Sequence, residues 1–316
     1  MLKEFWIKIS LLIGVPVLVL SFLGFAVDTG LKKSHHPNYA EWNDLFQGKI
    51  NADVLVSGSS RAAFHISPFI LDTTLQVNSY NLGLSAWRFD MQLTRFKLYL
   101  AHNRKPQYII HNVDVYGFAK RKNLVDYQQF LPYLNEPLLK RNFERLQGNF
   151  TWSQCYIPMY KYANDWDLVW EGLKNFVDYP HVTKTSKYKG YQANDIAWDN
   201  QFELFKKKYP KGIRYTIEKD VEQSFERYLD FCQKEGIKVV LVYAPEYFEV
   251  QPYYKNKTAF LRLCHRVEKQ YNCTFLDYTN DSICFKKSLF YNSQHLNKEG
   301  AELFSAKLAK DLQKIW

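Results

Sequence analysis

Ser60 is the first candidate for chemistry, because it follows a short apolar run in the stretch VLVSGSSRAAF. A strand ending at Ser57, a turn at Gly58 and a helix starting near Ser60 would place the hydroxyl beside free backbone N–H groups. That arrangement suits a serine nucleophile in acyl transfer. The structural alternative is that Ser59 or Ser60 only caps the helix or binds a phosphate.

His295 is the matching candidate for a base, and it stands just before a predicted helix in FYNSQHLNKEGAELF. Its predicted role is to take the proton of Ser60 and later return it. Asn292 stands three residues earlier, where a serine esterase usually has an aspartate that orients the base. An asparagine oxygen can still accept the second imidazole proton, although it brings no charge. Asp114 or Asp277 could take over that role instead.

Two further residues are candidates for a role in the site, although their sequence context is less specific. Arg61, next to Ser60, could hold an acidic group of the substrate or pair with a surface carboxylate. His111, at the end of a predicted strand, is the best alternative to His295 as a base. No ligand spacing supports a metal site, and no cofactor is predicted.

The elements that must position these residues alternate along the chain. Strands are predicted at 52–58, 75–85, 107–114, 237–247 and 274–279, and helices at 86–104, 221–236, around 260–267 and at 298–314. This alternation predicts a parallel sheet covered by helices on both faces, a three-layer α/β/α sandwich. Ligands then bind at the carboxyl ends of the strands. An aromatic-rich section at about 118–215 is predicted to be an insertion or cap over that edge.

The N-terminal segment decides the predicted location. Residues 9–27 carry no charge, and about 20 residues are needed to span a bilayer core of about 30 Å. Lys3 and Lys8 favour a cytoplasmic N-terminus, although Lys32 and Lys33 on the other side weaken the asymmetry. We predict an uncleaved signal anchor at 1–30 and place 31–316 outside the cytoplasm as one domain; cleavage as a signal peptide is the alternative.

Net charge and aromatic content limit the classes of binding partner that are expected. The net charge is +10, and 17% of the residues are aromatic. No Lys/Arg run is long enough for a nucleic-acid arm, so we expect no nucleic acid and favour an anionic membrane surface or an acidic glycan. The aromatic residues suit surfaces that meet sugars or a membrane interface. Of the five cysteines, Cys232 and Cys264 are predicted core thiols, whereas Cys273 and Cys284 could pair in an oxidising compartment.

Together these stretches resemble the SGNH (GDSL-like) hydrolase and acyltransferase superfamily. GSS at 58–60 stands for the nucleophile block, NLG at 81–83 for the second, HNVD at 111–114 for the third and NSQH at 292–295 for the last. The resemblance implies that Ser60 is the nucleophile and His295 the base. It also implies an oxyanion hole made by the N–H groups of Ser60 and Gly83 together with Asn112 or Asp114.

Within that superfamily the chain looks most like membrane-anchored proteins of bacterial envelopes. These are the D-alanyl teichoic-acid transfer proteins and the proteins that O-acetylate exopolysaccharides. The resemblance implies a serine O-acyltransferase on a cell-surface polysaccharide, beside a multi-pass membrane acyltransferase. The alternatives are an esterase or deacetylase with the same site, and an inactive glycan-binding or scaffolding member, for which Asn292 is the main support.

Overall fold

The structure is a computed structural model that describes residues 2–120, 122–146, 150–180 and 187–316. It divides into two compact units. The first, here called the anchor unit, falls within Met1–Asn43 and Lys122–Thr185; the second, the sheet unit, falls within Asp44–Arg121 and Ser186–Trp316. The predicted insertion at 118–215 is therefore shared between the two units. Within it, residues 121, 147–149 and 181–186 lie outside the described residues.

The helices and strands follow each other along the chain with short 3₁₀ turns between them. The helices are α1 (Leu2–Leu31), α2 (Ala40–Phe46), α3 (Ser60–His65), α4 (Pro68–Leu75), α5 (Phe89–His102), α6 (Pro137–Phe143), α7 (Trp152–Tyr156), α8 (Trp166–Phe176), α9 (Gln201–Lys208), α10 (Lys219–Lys234), α11 (Lys257–Gln270) and α12 (Lys298–Leu312). The strands are β1 (Val54–Ser57), β2 (Ser79–Asn81), β3 (Tyr108–Asn112), β4 (Lys187–Tyr188), β5 (Tyr191–Gln192), β6 (Lys238–Tyr243), β7 (Thr274–Asp277), β8 (Phe290–Asn292) and β9 (His295–Leu296).

The main sheet of the sheet unit is parallel and has the order β2-β1-β3-β6-β7. Its strands lie where the sequence predicts them, because runs such as VLVS and KVVLVY are apolar on both faces and suit a sheet covered on both sides. The strand order changes direction between β1 and β3. In doubly wound sheets, ligands bind outside the carboxyl ends of the strands at such a point.

Two helical layers cover the sheet. Val56, Ile110 and Val242 face a core that includes Phe304 and Leu308 of α12, together with residues of α3 and α4. The opposite face is covered by α5 and α10, which pack on each other, and α10 also packs on β6. This confirms the predicted three-layer α/β/α fold. Residues 187–215 of the predicted insertion belong to this unit, where the β4–β5 hairpin accepts the N–H of Asn81 at Lys189 O.

The anchor unit contains α1, a helix of 30 residues that is long and apolar enough to cross a membrane. Length and composition alone support that statement. Inside the same unit α1 packs against α8.

All five cysteines are free, and four of them are buried. Cys232 and Cys264 are core thiols as predicted, whereas Cys273 and Cys284 are not paired.

Candidate active site

The turn between β1 and α3 separates the roles of two neighbouring serines. Gly58 has φ +138°, and a Cβ there would lie 2.7 Å from the carbonyl oxygen of Asn112, so the turn needs glycine. Ser59 caps α3 by accepting from the N–H of Arg61. Ser60 is the first residue of α3, where a backbone N–H has no acceptor within the helix. The capping role therefore belongs to Ser59 and leaves the hydroxyl of Ser60 available.

Ser60 and His295 meet directly. Ser60 Oγ lies 2.8 Å from His295 Nε2. His295 begins β9, which forms a small antiparallel hairpin with β8 outside the main sheet. The next residue, Leu296, donates its backbone N–H to Nε2 of the buried His65 at 3.1 Å, which ties the hairpin to the end of α3. The structure thus brings together two residues that are 235 positions apart.

Asn292 is the partner of the other imidazole nitrogen, with Oδ1 at 3.1 Å from His295 Nδ1. Its orientation is set by the backbone, because Oδ1 also accepts the N–H groups of Gln294 and His295, each at 3.0 Å. Only an oxygen can accept these two donors. Nδ1 therefore carries the proton, and Nε2 is left as an acceptor for the Ser60 hydroxyl. The replacement of Asn292 by Asp114 or Asp277 as orienter, considered from the sequence, is wrong.

The surroundings of the imidazole keep it neutral. The ring of Tyr291 stacks on it with centroids 5.4 Å apart, and Phe64 meets its edge at 5.7 Å. Removal from water, and then the positive charge of Arg61, lowers the pKa of His295 to about 3. At neutral pH the base is in the form that can take a proton.

Arg61 is buried and pairs with buried carboxylates, so it lies on no surface where it could meet a substrate group or a surface carboxylate. Its side chain is 1% exposed. The guanidinium lies 2.8 Å from Asp114 and 3.6 Å from Glu246, donates to Ala244 O and stacks on Tyr243 at 4.6 Å. Burial opposes the charge, but the two carboxylates more than offset this and raise the pKa of Arg61. Arg61 is a buried cation beneath the nucleophile turn.

Two of the predicted oxyanion donors are occupied or unsuitable. The N–H of Gly83 donates to Asn81 Oδ1 at 2.8 Å. Asp114 is an acceptor for the Ser59 hydroxyl and for Arg61, and a carboxylate cannot donate to an oxyanion. Asn112 donates one amide hydrogen to Asp114 at 3.1 Å and has a second. Of the two residues left open in the third block, Asn112 has the right chemistry.

His111, the alternative base, lies in a different environment. It is 3% exposed and surrounded by the rings of Phe89, Phe225 and Tyr228. Burial lowers its pKa to about 3. It is a core histidine.

Sequence reasoning missed four residues around the site. His65 holds the strand of His295, and its spacing from Ser60 matches no motif. Glu246 follows β6, and its place at a strand's carboxyl end is the signal that could have indicated it. Tyr116 shares a hydrogen bond of 2.8 Å with the Ser59 hydroxyl. The guanidinium of the half-buried Arg88 stacks on the Tyr116 ring at 4.8 Å, and its Nε has no hydrogen-bond partner among the described residues.

Among known proteins, similarity is found only to solved structures. No protein-family model matches the sequence, and no curated protein matches it. One similar solved structure comes from Desulfitobacterium hafniense DCB-2 and is described as a lipolytic protein of the G-D-S-L family. The two chains are 13% identical with a TM-score of 0.39, and the match covers 81% of this chain and 97% of that one. Similarity at this level does not assign an activity.

Proposed function

We propose that this protein is a membrane-anchored serine O-acyltransferase that moves an acyl group, which we take to be acetyl, onto a cell-surface polysaccharide. The observation that carries the proposal is the continuous set of hydrogen bonds from Ser60 Oγ to His295 Nε2 and from His295 Nδ1 to Asn292 Oδ1. A hydroxyl, a neutral imidazole and a fixed acceptor in that order are the parts needed to form an acyl-enzyme.

In the first half-reaction, His295 Nε2 takes the proton from Ser60 Oγ as the oxygen attacks the acyl carbon. The negative charge that develops on the carbonyl oxygen is stabilised by the N–H of Ser60 and by the second amide hydrogen of Asn112. The tetrahedral intermediate then collapses, and the donor's leaving oxygen receives the proton from His295. The acyl group remains on Ser60 as an ester.

In the second half-reaction, His295 takes the proton of the acceptor hydroxyl. The acceptor oxygen attacks the acyl carbon of the ester, and Ser60 leaves with the proton returned by His295. A sugar hydroxyl as acceptor gives transfer, and water gives hydrolysis. An esterase would therefore use the same residues and differ only in what reaches the acyl carbon.

Two features support a membrane location and an acidic glycan. The helix α1 could hold the protein in a bilayer, with the remainder of the chain outside the cytoplasm. Arg88 is the cation best placed to bind an acidic group near the nucleophile, in place of Arg61, because it stacks on Tyr116 beside Ser59. A multi-pass membrane acyltransferase that delivers the acyl group across the bilayer is part of the proposal.

The test is intact-mass analysis of the full-length protein in detergent after exposure to an activated acetyl ester. The full chain is needed because residues up to 43 belong to the anchor unit. We expect one acetyl adduct that forms in the parent and is absent in Ser60→Ala. Ser59→Ala is the matched control, since it removes a neighbouring hydroxyl that does not contact His295. The adduct should still form in this variant, but more slowly, because the cap of α3 and the bond to Asp114 are lost.

The acceptor decides between the two reactions. Adding soluble polysaccharide fragments should speed the loss of the adduct and yield acetylated sugar, whereas an esterase would yield acetate at an unchanged rate. A folded parent protein that never forms the adduct would rule out the enzyme and leave the glycan-binding alternative.

A further inference from the structure

Part of the anchor unit packs against α1 inside the uncharged segment of that helix. The ring of Phe176, at the end of α8, meets Phe22 and Phe25 with centroids 6.4 Å from each. A Cβ placed on Gly24 would lie 3.8 Å from the backbone nitrogen of Met159. The segment between α7 and α8 and the end of α8 therefore reach the level of residues 22–25.

That level lies within the part of α1 that needs a lipid environment. The uncharged run ends at Asp28, which binds Lys161 and the Tyr162 hydroxyl. With a rise of about 1.5 Å per residue, Gly24 lies about 6 Å and Phe22 about 9 Å before Asp28 along the helix. Met159 and Phe176 are thus at the depth where headgroups meet acyl chains, if α1 spans a bilayer.

The packing between the two helices is close enough to fix this level. A Cβ on Gly30 would lie 1.7 Å from the carbonyl oxygen of Gly172, and one on Gly172 would lie 2.7 Å from the carbonyl oxygen of Val27. Two glycines at the crossing let the backbones of α1 and α8 touch. A shift along α1 would remove that fit, so α8 is held at one depth.

The same segment exposes large apolar side chains that its own unit does not cover. We call them the aromatic surface; its members are Trp152, Tyr156, Ile157, Tyr160, Trp166, Trp170 and Val177. Trp152 is 70% exposed, Trp170 61% and Val177 67%. On α8, Leu168, Val169 and Gly172 are buried, whereas Trp166 and Trp170 are exposed one turn apart, so the helix has a second apolar face.

We propose that the aromatic surface lies in the headgroup region of the lipid bilayer and sets the depth and tilt of the protein there. Tryptophan and tyrosine are enriched at that level of membrane proteins because one end of each ring is apolar and the other polar. Lys140 lies over the Tyr156 ring at 5.9 Å, which suits anionic lipid. This inference rests on the membrane location in the proposed function.

Lipid is favoured over a sugar polymer because the aromatic surface continues from the exposed apolar surface of α1. Most large apolar side chains of α1 from Leu2 to Phe25 are exposed, with Ile9 and Leu23 half-buried. Met159 and Phe176 join this surface to the aromatic surface. A surface that begins at bilayer depth meets lipid first.

Cys155 offers a direct measurement, since it is the one exposed cysteine and it lies in α7 within the aromatic surface. A nitroxide on Cys155 of the full chain, in vesicles of phosphatidylcholine and phosphatidylglycerol, reports its depth by collisions with oxygen and with a water-soluble nickel complex. Two reference labels are made in Cys155→Ser protein, at Val19→Cys inside α1 and at Lys234→Cys on α10. We expect the Cys155 label to collide with nickel less than the label at 234 and more than the label at 19.

The outcomes separate the two proposals. A label at 19 that collides freely with nickel would show that α1 is not in the bilayer and would remove both the location and this inference. A protected label at 19 with a label at 155 as accessible as that at 234 would refute the inference alone. The inference is also refuted if the label at 155 is accessible and becomes protected only when acidic polysaccharide is added, because the surface would then bind glycan.

A paired substitution checks that the aromatic rings are the cause. Trp152→Ser with Trp170→Ser removes two exposed rings, so the fold of the unit should be retained. We expect the nickel collisions of the Cys155 label to rise towards the level of the label at 234. Unchanged collisions would show that α1 alone sets the depth and that the aromatic surface does not bind lipid.

Discussion

At the scale of single residues, Asn292 orients His295 as an aspartate would but does not stabilise its charged form. Its oxygen fixes the tautomer and direction of His295, because two backbone N–H groups hold the amide in place. It adds no negative charge to stabilise the imidazolium that forms during reaction. In the absence of that charge, burial and Arg61 leave the pKa of His295 at about 3.

Asn292→Asp should therefore speed acylation while keeping the geometry. A carboxylate oxygen can accept the same N–H groups and also stabilises the charged base. We expect the rate of adduct formation to rise by about 10- to 100-fold, part of the ~10⁴-fold that the reverse change costs in a serine protease. Intact-mass kinetics measure it, with Asn292→Ala as control. An Asn292→Ala protein as fast as the parent would show that the amide does not orient the base.

The pH dependence should change with the same substitution. The base acts in its neutral form, so a pKa of about 3 predicts an acylation rate that stays level from pH 7 down to about 5. The new carboxylate of Asn292→Asp favours the protonated imidazole and raises the pKa, which moves the acid limb to higher pH. Identical profiles for the two proteins, measured where both are folded, would contradict this account.

The sequence could indicate Ser60, His295 and Asn292 because each stands at a fixed place relative to a strand or helix that periodicity reveals. It could not indicate the partners of Arg61. A cation beside a nucleophile looks the same in sequence whether it faces solvent or a buried carboxylate. Asp114 and Glu246 come from the ends of other strands, so only the folded sheet brings them to Arg61.

At the scale of elements, the turn between β1 and α3 rests on buried charges that balance. Arg61 and Lys257 face Asp114 and Glu246, and Lys257 binds Glu246 at 3.0 Å. Asp114 also accepts from Ser59, the residue before the nucleophile. The position of Ser60 thus depends on residues that follow strands β3 and β6 as well as on strand β1, which leads into its turn.

Removing the charge of Arg61 alone should lower the free energy of unfolding more than removing the charges of Arg61 and Asp114 together. Arg61→Met leaves Asp114 without a cation, and we expect the free energy of unfolding to fall by about 3–5 kcal/mol. Arg61→Met with Asp114→Asn leaves the balanced pair of Lys257 and Glu246, so much of that loss should be recovered. Urea unfolding in detergent measures both proteins. A double variant less stable than the single one would show that the charges do not act as a pair.

The elements of the sheet and the long helix α1 were predictable, whereas the short helices of the anchor unit were not. Buried parallel strands have continuous apolar sequences, and α10 has its apolar residues on one face. These patterns were sufficient to predict the strands and the helix. The helix α8 packs on α1, whose sequence between residues 9 and 27 is apolar and shows no preferred face. The β8–β9 hairpin has strands of three and two residues, too short to show a period.

At the scale of the whole molecule, the histidines that the fold keeps neutral make it sensitive to acid. Burial lowers the pKa of His65, His111 and His295. Their pKa in the unfolded chain is about 6.5, so below that pH the unfolded state takes up protons that the folded state does not. Above pH 6.5 these histidines do not affect the free energy of unfolding, and below it each one lowers that free energy increasingly as the pH falls, down to a pH of about 3 for His111 and His295.

The free energy of unfolding should fall below pH 6.5 by up to about 1.4 kcal/mol per pH unit for each of these histidines. His111→Phe replaces the imidazole with a ring that fits the cluster of Phe89 and Phe225. The slope of the free energy of unfolding against pH should then be smaller by the contribution of one proton, up to about 1.4 kcal/mol per pH unit. Urea midpoints between pH 7.5 and 5 provide the measurement, and an equal slope in the variant would place the proton uptake elsewhere.

The separation of Ser60 from His295 by 235 positions has a consequence for biogenesis. A chain threaded across a membrane from its N-terminal side emerges with the serine early and the histidine late. Contacts between such distant residues form only after the intervening loops close. Under the proposed function, the hydroxyl has no base during export, and the nascent protein would not acylate itself or its neighbours before the β8–β9 hairpin docks on α3.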